Sequence, residues 1–285
     1  MAITSDWHIH TEHSCDSACI KYEDLVSQLK DLGITDFGVS DHYHTRIQEP
    51  DIANSRQAFD QTLQNHPELK GHMHFGMEAT LVSEWEVDRI ARGDYEDLPV
   101  YGFRRGGPEG SPVLYDFDEE FLKKYGIEYV VAGVHWPMYT ETDTLSLLKE
   151  YHRQYIYAIT HPFTDIVAHW LWVDEWLLSR GGKIPFENPF INFSVVPESV
   201  KNEIKSALLQ TGVALEVNSW FVLKNYPESF CEGYLGWIGD IQRAGVKISF
   251  GSDLHGAIMK ERCNYAEIDK LLKKYGVDSS KFFCL

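Results

Sequence analysis

No stretch of the 285-residue sequence approaches 18 uninterrupted apolar residues, and no basic stretch followed by an apolar run opens it. Neither a membrane-spanning helix nor a secretory leader is therefore expected. Cysteine is scarce: positions 15, 19, 231, 263 and 284 make an odd number without paired spacing. That excludes a disulfide framework and fits reduced thiols in a cytoplasm. Cys15 and Cys19 lie four apart, but no second pair exists to complete a structural zinc site with them. Positive charge is short as well, with 26 Lys and Arg against 43 Asp and Glu, a formal net charge of −17. A polyanion would meet a repulsive field, which argues against nucleic acid as the main substrate, whereas divalent cations would neutralise part of the acidity. A glycine-rich nucleotide loop is missing, because Gly106-Gly107 follows no strand and opens no helix.

What the chain does have is an ordinary globular balance, 44% hydrophobic and 24% charged residues, enough for a large core. Hydrophobic patterning places short strands at 2–4, 34–39, 73–81, 129–134, 157–160, 213–217 and 246–250. Between them, helical periodicity or stop signals predict helices over 21–32, 52–65, 117–125, 144–155, 198–210, 230–244 and 265–275. Seven strands alternating with helices argue for parallel β/α units in a closed or nearly closed barrel, α/β in class. No linker or repeat divides the chain, so 1–285 reads as a single domain. Two irregular insertions interrupt it, at about 84–116 and 163–197, long enough to act as lids. The aromatics of the second (Trp170, Trp172, Trp176, Phe186, Phe190 and Phe193) read as a local hydrophobic cluster.

Ligand-capable residues recur where strands finish. His8 and His10 stand two apart after the first strand, which sends both imidazoles to one side. Asp16 follows. Ser40-Asp41-His42 ends the second strand, Glu78 interrupts an apolar run in the third, and His135 follows the fourth. His161 closes the fifth, and Ser252-Asp253-Leu254-His255 closes the last. Six imidazoles and three carboxylates exceed the needs of one metal ion and suffice for two or three. The remaining histidines, 13, 44, 66, 72, 74, 152 and 169, lack this placement and read as surface residues or outer support for the site.

This ordered set (His8-Ile9-His10-Thr11, Ser40-Asp41-His42, isolated Glu78 and His135, His161-Pro162, Ser252-Asp253-Leu254-His255) resembles the successive motifs of the PHP (polymerase and histidinol phosphatase) superfamily. The resemblance spans residues 6 to 256. It implies a distorted (β/α)7 TIM-like barrel and a trinuclear site of zinc, manganese or iron. On the family pattern, one metal falls to His8, His10, Glu78 and Asp253; a second to Glu78, His135 and His161, with Glu78 bridging; and a third to Asp16, His42 and His255. Some members carry histidine where this chain has Asp16, and the harder oxygen ligand favours manganese or iron.

The implied reaction is hydrolysis of a small phosphomonoester by a metal-activated hydroxide. Asp253 or His255 would carry the proton, and Asp41 would orient rather than ligate. Arg104, Arg105 and Arg180 are the candidate phosphate-binding residues, with Lys260 or Arg262 as further candidates. Histidinol phosphate is the substrate the resemblance suggests, although Ser14-Cys15-Asp16 departs from the Cys-Pro-His form of many histidinol phosphatases. Two alternatives stand beside it: a binuclear amidohydrolase-type enzyme cleaving an amide or lactone, and a non-catalytic metal-binding module.

Overall fold

Short β-branched and aromatic runs form the strands of a parallel sheet in the computed structural model, which describes residues 3–16, 20–94, 106–172, 188–219, 226–259 and 263–285. The sheet is built from β1 (Ser5–Asp6), β2 (Asp36–Val39), β3 (His42–Tyr43), β4 (Met73–Thr80), β7 (Tyr129–Gly133), β8 (Ile166–Val167), β9 (Ala214–Asn218) and β10 (Ile248–Gly251). Its order is β1-β2-β4-β7-β8-β9-β10, every pairing parallel. β3 also pairs with β4, at the same 36-residue offset as β2, so it continues that strand past a break at Ser40 and Asp41. The outer strands meet: Trp7 N donates to Phe250 O at 3.0 Å, Asp253 N donates to His8 O at 2.8 Å, and Ile9 bridges Leu254. Seven strands thus nearly close into a barrel, the architecture expected from the sequence. A separate antiparallel pair joins β5 (Val82–Ser83) to β6 (Val113–Leu114).

The described helices are α1 (Tyr22–Leu32), α2 (Glu49–Asn65), α3 (Glu84–Ala91), α4 (Glu119–Tyr125), α5 (Thr144–Thr160), α6 (Glu198–Thr211), α7 (Glu228–Arg243) and α8 (Tyr265–Lys274). Side-chain caps start several of them, Ser83 for α3 and Asp143 for α5 among them, by accepting from orphan backbone N–H groups. Left-handed Gly33, Gly126 and Gly212 end α1, α4 and α6.

Two expectations are corrected. The run at 157–160 is the last turn of α5, whose buried face (Leu147, Leu148, Tyr151, Tyr155, Ala158, Ile159) keeps helical spacing to its end. The strand belonging there is β8, inside the segment expected to be irregular. Nor is 84–116 wholly irregular, since it carries α3 and β6.

Strand alternation fills the barrel and then furnishes its rim. Trp7, Tyr129, Val131, Ile166, Ala168 and Ala214 form an apolar cluster separate from the main core, which packs between sheet and helices. The Tyr129 ring lies so close to Gly38 and Gly76 that a Cβ at either would sit within 2.5 Å of it. Further along each strand the inward positions turn polar: Gly76 is followed on that face by Glu78 and Thr80, Val131, past Gly133, by His135, and Ala214 by Glu216 and Asn218.

Candidate metal centre

Glu78 stands at the middle of that polar rim, fully buried on β4. Its Oε2 faces His8 Nε2 at 3.2 Å, His10 Nε2 at 3.4 Å and His42 Nδ1 at 2.8 Å. Its Oε1 faces His135 Nε2 at 3.1 Å and His169 Nε2 at 2.9 Å. One carboxylate therefore joins two groups of imidazoles. Asp253 Oδ1 completes the first, 3.6 Å from His8 Nε2 and 3.2 Å from His10 Nε2. A third group lies beside it: Asp16 Oδ2 is 2.6 Å from His255 Nε2 and 3.7 Å from His42 Nε2. His42, with one ring nitrogen toward Glu78 and the other toward Asp16, spans two groups.

Close approach at this rim dictates small residues behind it. A Cβ on Gly133 would lie 2.4 Å from the His135 ring and 2.5 Å from Glu78 Oε1. Two groups sit in the left-handed backbone region that non-glycine residues avoid, His169 at φ 33° and Asp253 at φ 49°. Such conformations persist only where the surroundings enforce them.

Opposite charges and burial pull the titrating groups apart. Burial pushes His10 down to about 3, reinforced by His42 and His255, and pushes His135 down to about 4 against the attraction of Glu78. Burial also opposes charge on His8, but Glu78, Glu216 and Asp253 outweigh it and hold His8 well above its ordinary value. His255, likewise against burial, is raised to about 11 by Asp253 and Asp16. Glu78 and Asp253 are held well below the carboxylate range by their histidines, although burial alone would raise them.

The donor set fits divalent cations. Every ion pair the described residues give Glu78, Asp253, Asp16 and Glu216 is with histidine, so these largely buried carboxylates gather with no lysine or arginine of the described residues to balance them. Glu78 Oε2 and Asp16 Oδ1 are buried and accept no hydrogen bond from a described residue. Ligand atoms converge within 4.8 Å in three sets: His8, His10 and Glu78; His42, Glu78 and His135; His10, His42 and His255. Imidazole and carboxylate together suit zinc, manganese or iron. A cavity of about 210 Å³ opens over them, lined by Asp16, His42, His135, His169, Trp172, Asp253 and His255.

A family model for the PHP domain matches residues 6–219. The chain belongs to the PHP domain family. Among solved structures, histidinol phosphate phosphatase from Lactococcus lactis, determined with zinc, L-histidinol and phosphate, is similar over 97% of this chain and 95% of its own, at 15% identity and a TM-score of 0.58. It shares the fold. A Xaa-Pro dipeptidase with bound methionine (15% identity, 95% and 75% covered, TM-score 0.38) and a xyloglucan-specific β-1,4-glucanase from a ruminal metagenomic library (8% identity, 100% and 96% covered, TM-score 0.41) are too dissimilar to inform either fold or chemistry. No curated protein sequence matches the chain.

Within this PHP domain, eight of the nine residues expected as ligands come together: His8, His10, Asp16, His42, Glu78, His135, Asp253 and His255. His161 does not. It caps the end of α5, its ring packed among Tyr115, Tyr157 and Phe163. His169, expected only as surface or outer support, occupies the place instead, because the strand that delivers it is β8. Glu216 was also missed as a site residue: its Oε1 lies 2.6 Å from His8 Nδ1. Thr80 Oγ1, between His44 Nδ1 at 2.6 Å and His135 Nδ1 at 2.8 Å, supports the ring of His135. Asp41 hydrogen-bonds no imidazole. Its carboxylate accepts from Thr11 N at 2.6 Å and Ser55 Oγ at 2.5 Å, and its carbonyl accepts from Glu78 N at 3.1 Å, so it fixes backbone beside two ligands. Arg104, Arg105, Arg180, Lys260 and Arg262 lie outside the described residues. In the aromatic segment, Trp170 and Phe193 pack with Trp237 and Tyr234, while Trp172 faces the cavity.

Proposed function

We propose that the chain is a metal-dependent phosphatase, hydrolysing a small phosphomonoester at a site that holds two or three divalent ions, zinc, manganese or iron. The observation that carries this reading is Glu78, a buried carboxylate with imidazole nitrogens on both oxygens and no lysine or arginine among its ion-pair partners. Membership of the PHP family and a fold shared with a phosphatase support it. Bound there, such cations would offset phosphoryl charge and lower the pKa of water towards neutrality. His8, His10, Glu78 and Asp253 would hold one ion; Glu78, His135 and His169 a second; Asp16, His42 and His255 a third.

The chain's own groups supply orientation and proton transfer. His255, its side chain 36% exposed, stands at the cavity with Nδ1 3.2 Å from Asp253 Oδ1; with two ions bound and the third subsite unfilled, its Nε2 would be the nitrogen placed to pass a proton to a leaving alkoxide. Asp253 is the alternative proton carrier. Trp172 walls the same cavity and would exclude water beside the substrate. Arg104, Arg105 and Arg180 are proposed to meet the phosphate. Histidinol phosphate is the first substrate to try, since the Lactococcus protein was solved with L-histidinol and phosphate. The reading takes 1–285 as one domain acting on a small molecule in the cytoplasm.

The test is metal content of the purified protein together with hydrolysis of an aryl phosphate in added manganese, iron or zinc. Two to three metals per chain, with turnover abolished in His10→Ala and Asp253→Ala, is the expected result. Turnover of an aryl amide or lactone alone would point to amidohydrolase chemistry, bound metal without any turnover to a non-catalytic module, and no metal would overturn the reading.

A further inference from the structure

Glu216 is fully buried at the carboxyl end of β9, and both of its oxygens are engaged by groups from other strands. Oε1 lies 2.6 Å from Nδ1 of His8, the ring nitrogen turned away from Glu78. Oε2 accepts from the backbone N–H of His169 at 2.8 Å and from Asn218 Nδ2 at 3.0 Å. The same Asn218 amide donates to Asp253 Oδ2 at 3.1 Å. One carboxylate and its neighbouring amide thus touch three groups of the candidate centre, delivered by three different strands.

Each contact selects a specific state of its partner. A carboxylate on Nδ1 holds the proton there and leaves Nε2 of His8 with a free lone pair toward Glu78, His10 and Asp253, the tautomer a cation requires. His169 sits at φ 33°, a conformation its side chain disfavours, and its peptide is gripped at both ends. Glu216 takes its N–H, and Tyr155 Oη donates to its carbonyl at 2.9 Å. Gly251 keeps the space clear: a Cβ there would fall on Glu216 Oε1 and within 2.6 Å of His8 Cβ.

We propose that Glu216, relayed by Asn218, is a positioning residue that sets the metal-binding tautomer of His8 and the backbone of His169 together, so that two subsites are assembled by one side chain. This rests on the metal-centre reading above. Glutamine cannot replace it. Its oxygen satisfies only one side, and its NH₂ then faces either the His8 N–H, which inverts the tautomer, or the donors of His169 and Asn218.

The experiment is zinc titration of metal-free protein against a competing chelator, with cobalt(II) absorption as a second readout, for the wild type, Glu216→Gln and Asn218→Ala. The melting temperature of each metal-free variant is measured in parallel. For Glu216→Gln the expected result is affinity weakened by about 10- to 100-fold, as for outer contacts of metal ligands, with an altered cobalt spectrum. A smaller loss is expected for Asn218→Ala. Wild-type affinity and spectrum in Glu216→Gln, even with a lowered melting temperature, would overturn the proposal and leave Glu216 a purely structural residue. Should Glu216→Gln fail to fold, Asn218→Ala decides: weakened binding supports the relay, and unchanged binding overturns it. A wild type that binds no metal would instead overturn the metal-centre reading, so the two failures are distinguishable.

Discussion

Replacing His169 by alanine removes a nitrogen 2.9 Å from Glu78 Oε1, whereas replacing His161 removes a ring packed among Tyr115, Tyr157 and Phe163. The two variants therefore separate a ligand from a packing histidine. His169→Ala is expected to lower activity on an aryl phosphate by at least about 100-fold, beyond the range seen for outer-shell changes, and to reduce bound metal. His161→Ala should keep its metal content and stay within about twofold of wild-type activity, its loss falling on stability alone, as for other packing changes. Equal losses in both would mean that β8 does not deliver the ligand. Gly133→Ala makes a second residue-scale test. The added methyl meets the His135 ring and Glu78 Oε1 from behind, and in an enclosed rim such overpacking costs about 1–3 kcal/mol. Urea denaturation and metal content should fall together, because the atoms that must move are ligand atoms.

At the scale of elements, α5 braces the rim from outside. Tyr155 Oη donates to the carbonyls of Ala168 at 3.2 Å and His169 at 2.9 Å, the turn that carries β8 into the site. Tyr155→Phe takes that donor from the Ala168 carbonyl and leaves the His169 carbonyl with only the Trp172 N–H at 2.8 Å, a loss of about 1–3 kcal/mol, read as a lower urea midpoint. Binding of metal should weaken as well, since the left-handed turn at His169 loses one of the three hydrogen bonds that hold its backbone. The same region shows what the sequence could and could not disclose. Six of the seven barrel strands, their alternation with the helices and the candidate ligands at 8, 10, 16, 42, 78, 135, 253 and 255 were legible, because apolar runs are followed by conspicuous polar residues. β8 was not: two residues, Ile166 and Val167, give no alternation to detect. The β-branched and aromatic run at 157–160 imitated a strand, although Leu147, Tyr151, Tyr155 and Ala158 already announced a helix continuing through it. Glu216 and Asn218 were visible at a strand end, but only the closure of β9 against β10 and β1 brings them to His8 and Asp253.

For the molecule as a whole, on the proposed metal-centre reading, metal and proton would compete for the same rim. Saturation with an ion at a thousand times its dissociation constant would add about 4 kcal/mol to folding, so chelation should lower the melting temperature and make stability acid-sensitive. The sign follows from the buried groups at and behind the rim. Burial raises Asp6 to about 6 from 3.8, and a carboxyl raised in this way favours the fold below 3.8 and loses its contribution as pH climbs through 6. His10 and His135, pushed down by burial to about 3 and about 4, act oppositely: they favour the fold above 6.5 and lose that contribution as pH falls towards those values. Between pH 6 and 5 unfolding takes up protons at His10 and His135 and releases them at Asp6 and at Asp41, which burial also raises. The two histidines, shifted furthest, set the direction, so the chelated protein loses stability on acidification. Below about pH 4.5 the slope should steepen, because Glu78 and Asp253 stay ionised in the fold while their unfolded counterparts protonate. Urea midpoints of the chelated protein at pH 6 and pH 5 read the effect directly. A stability that rises on acidification would mean that His10 and His135 accept protons within the fold, and that the rim is more open to water than its burial implies.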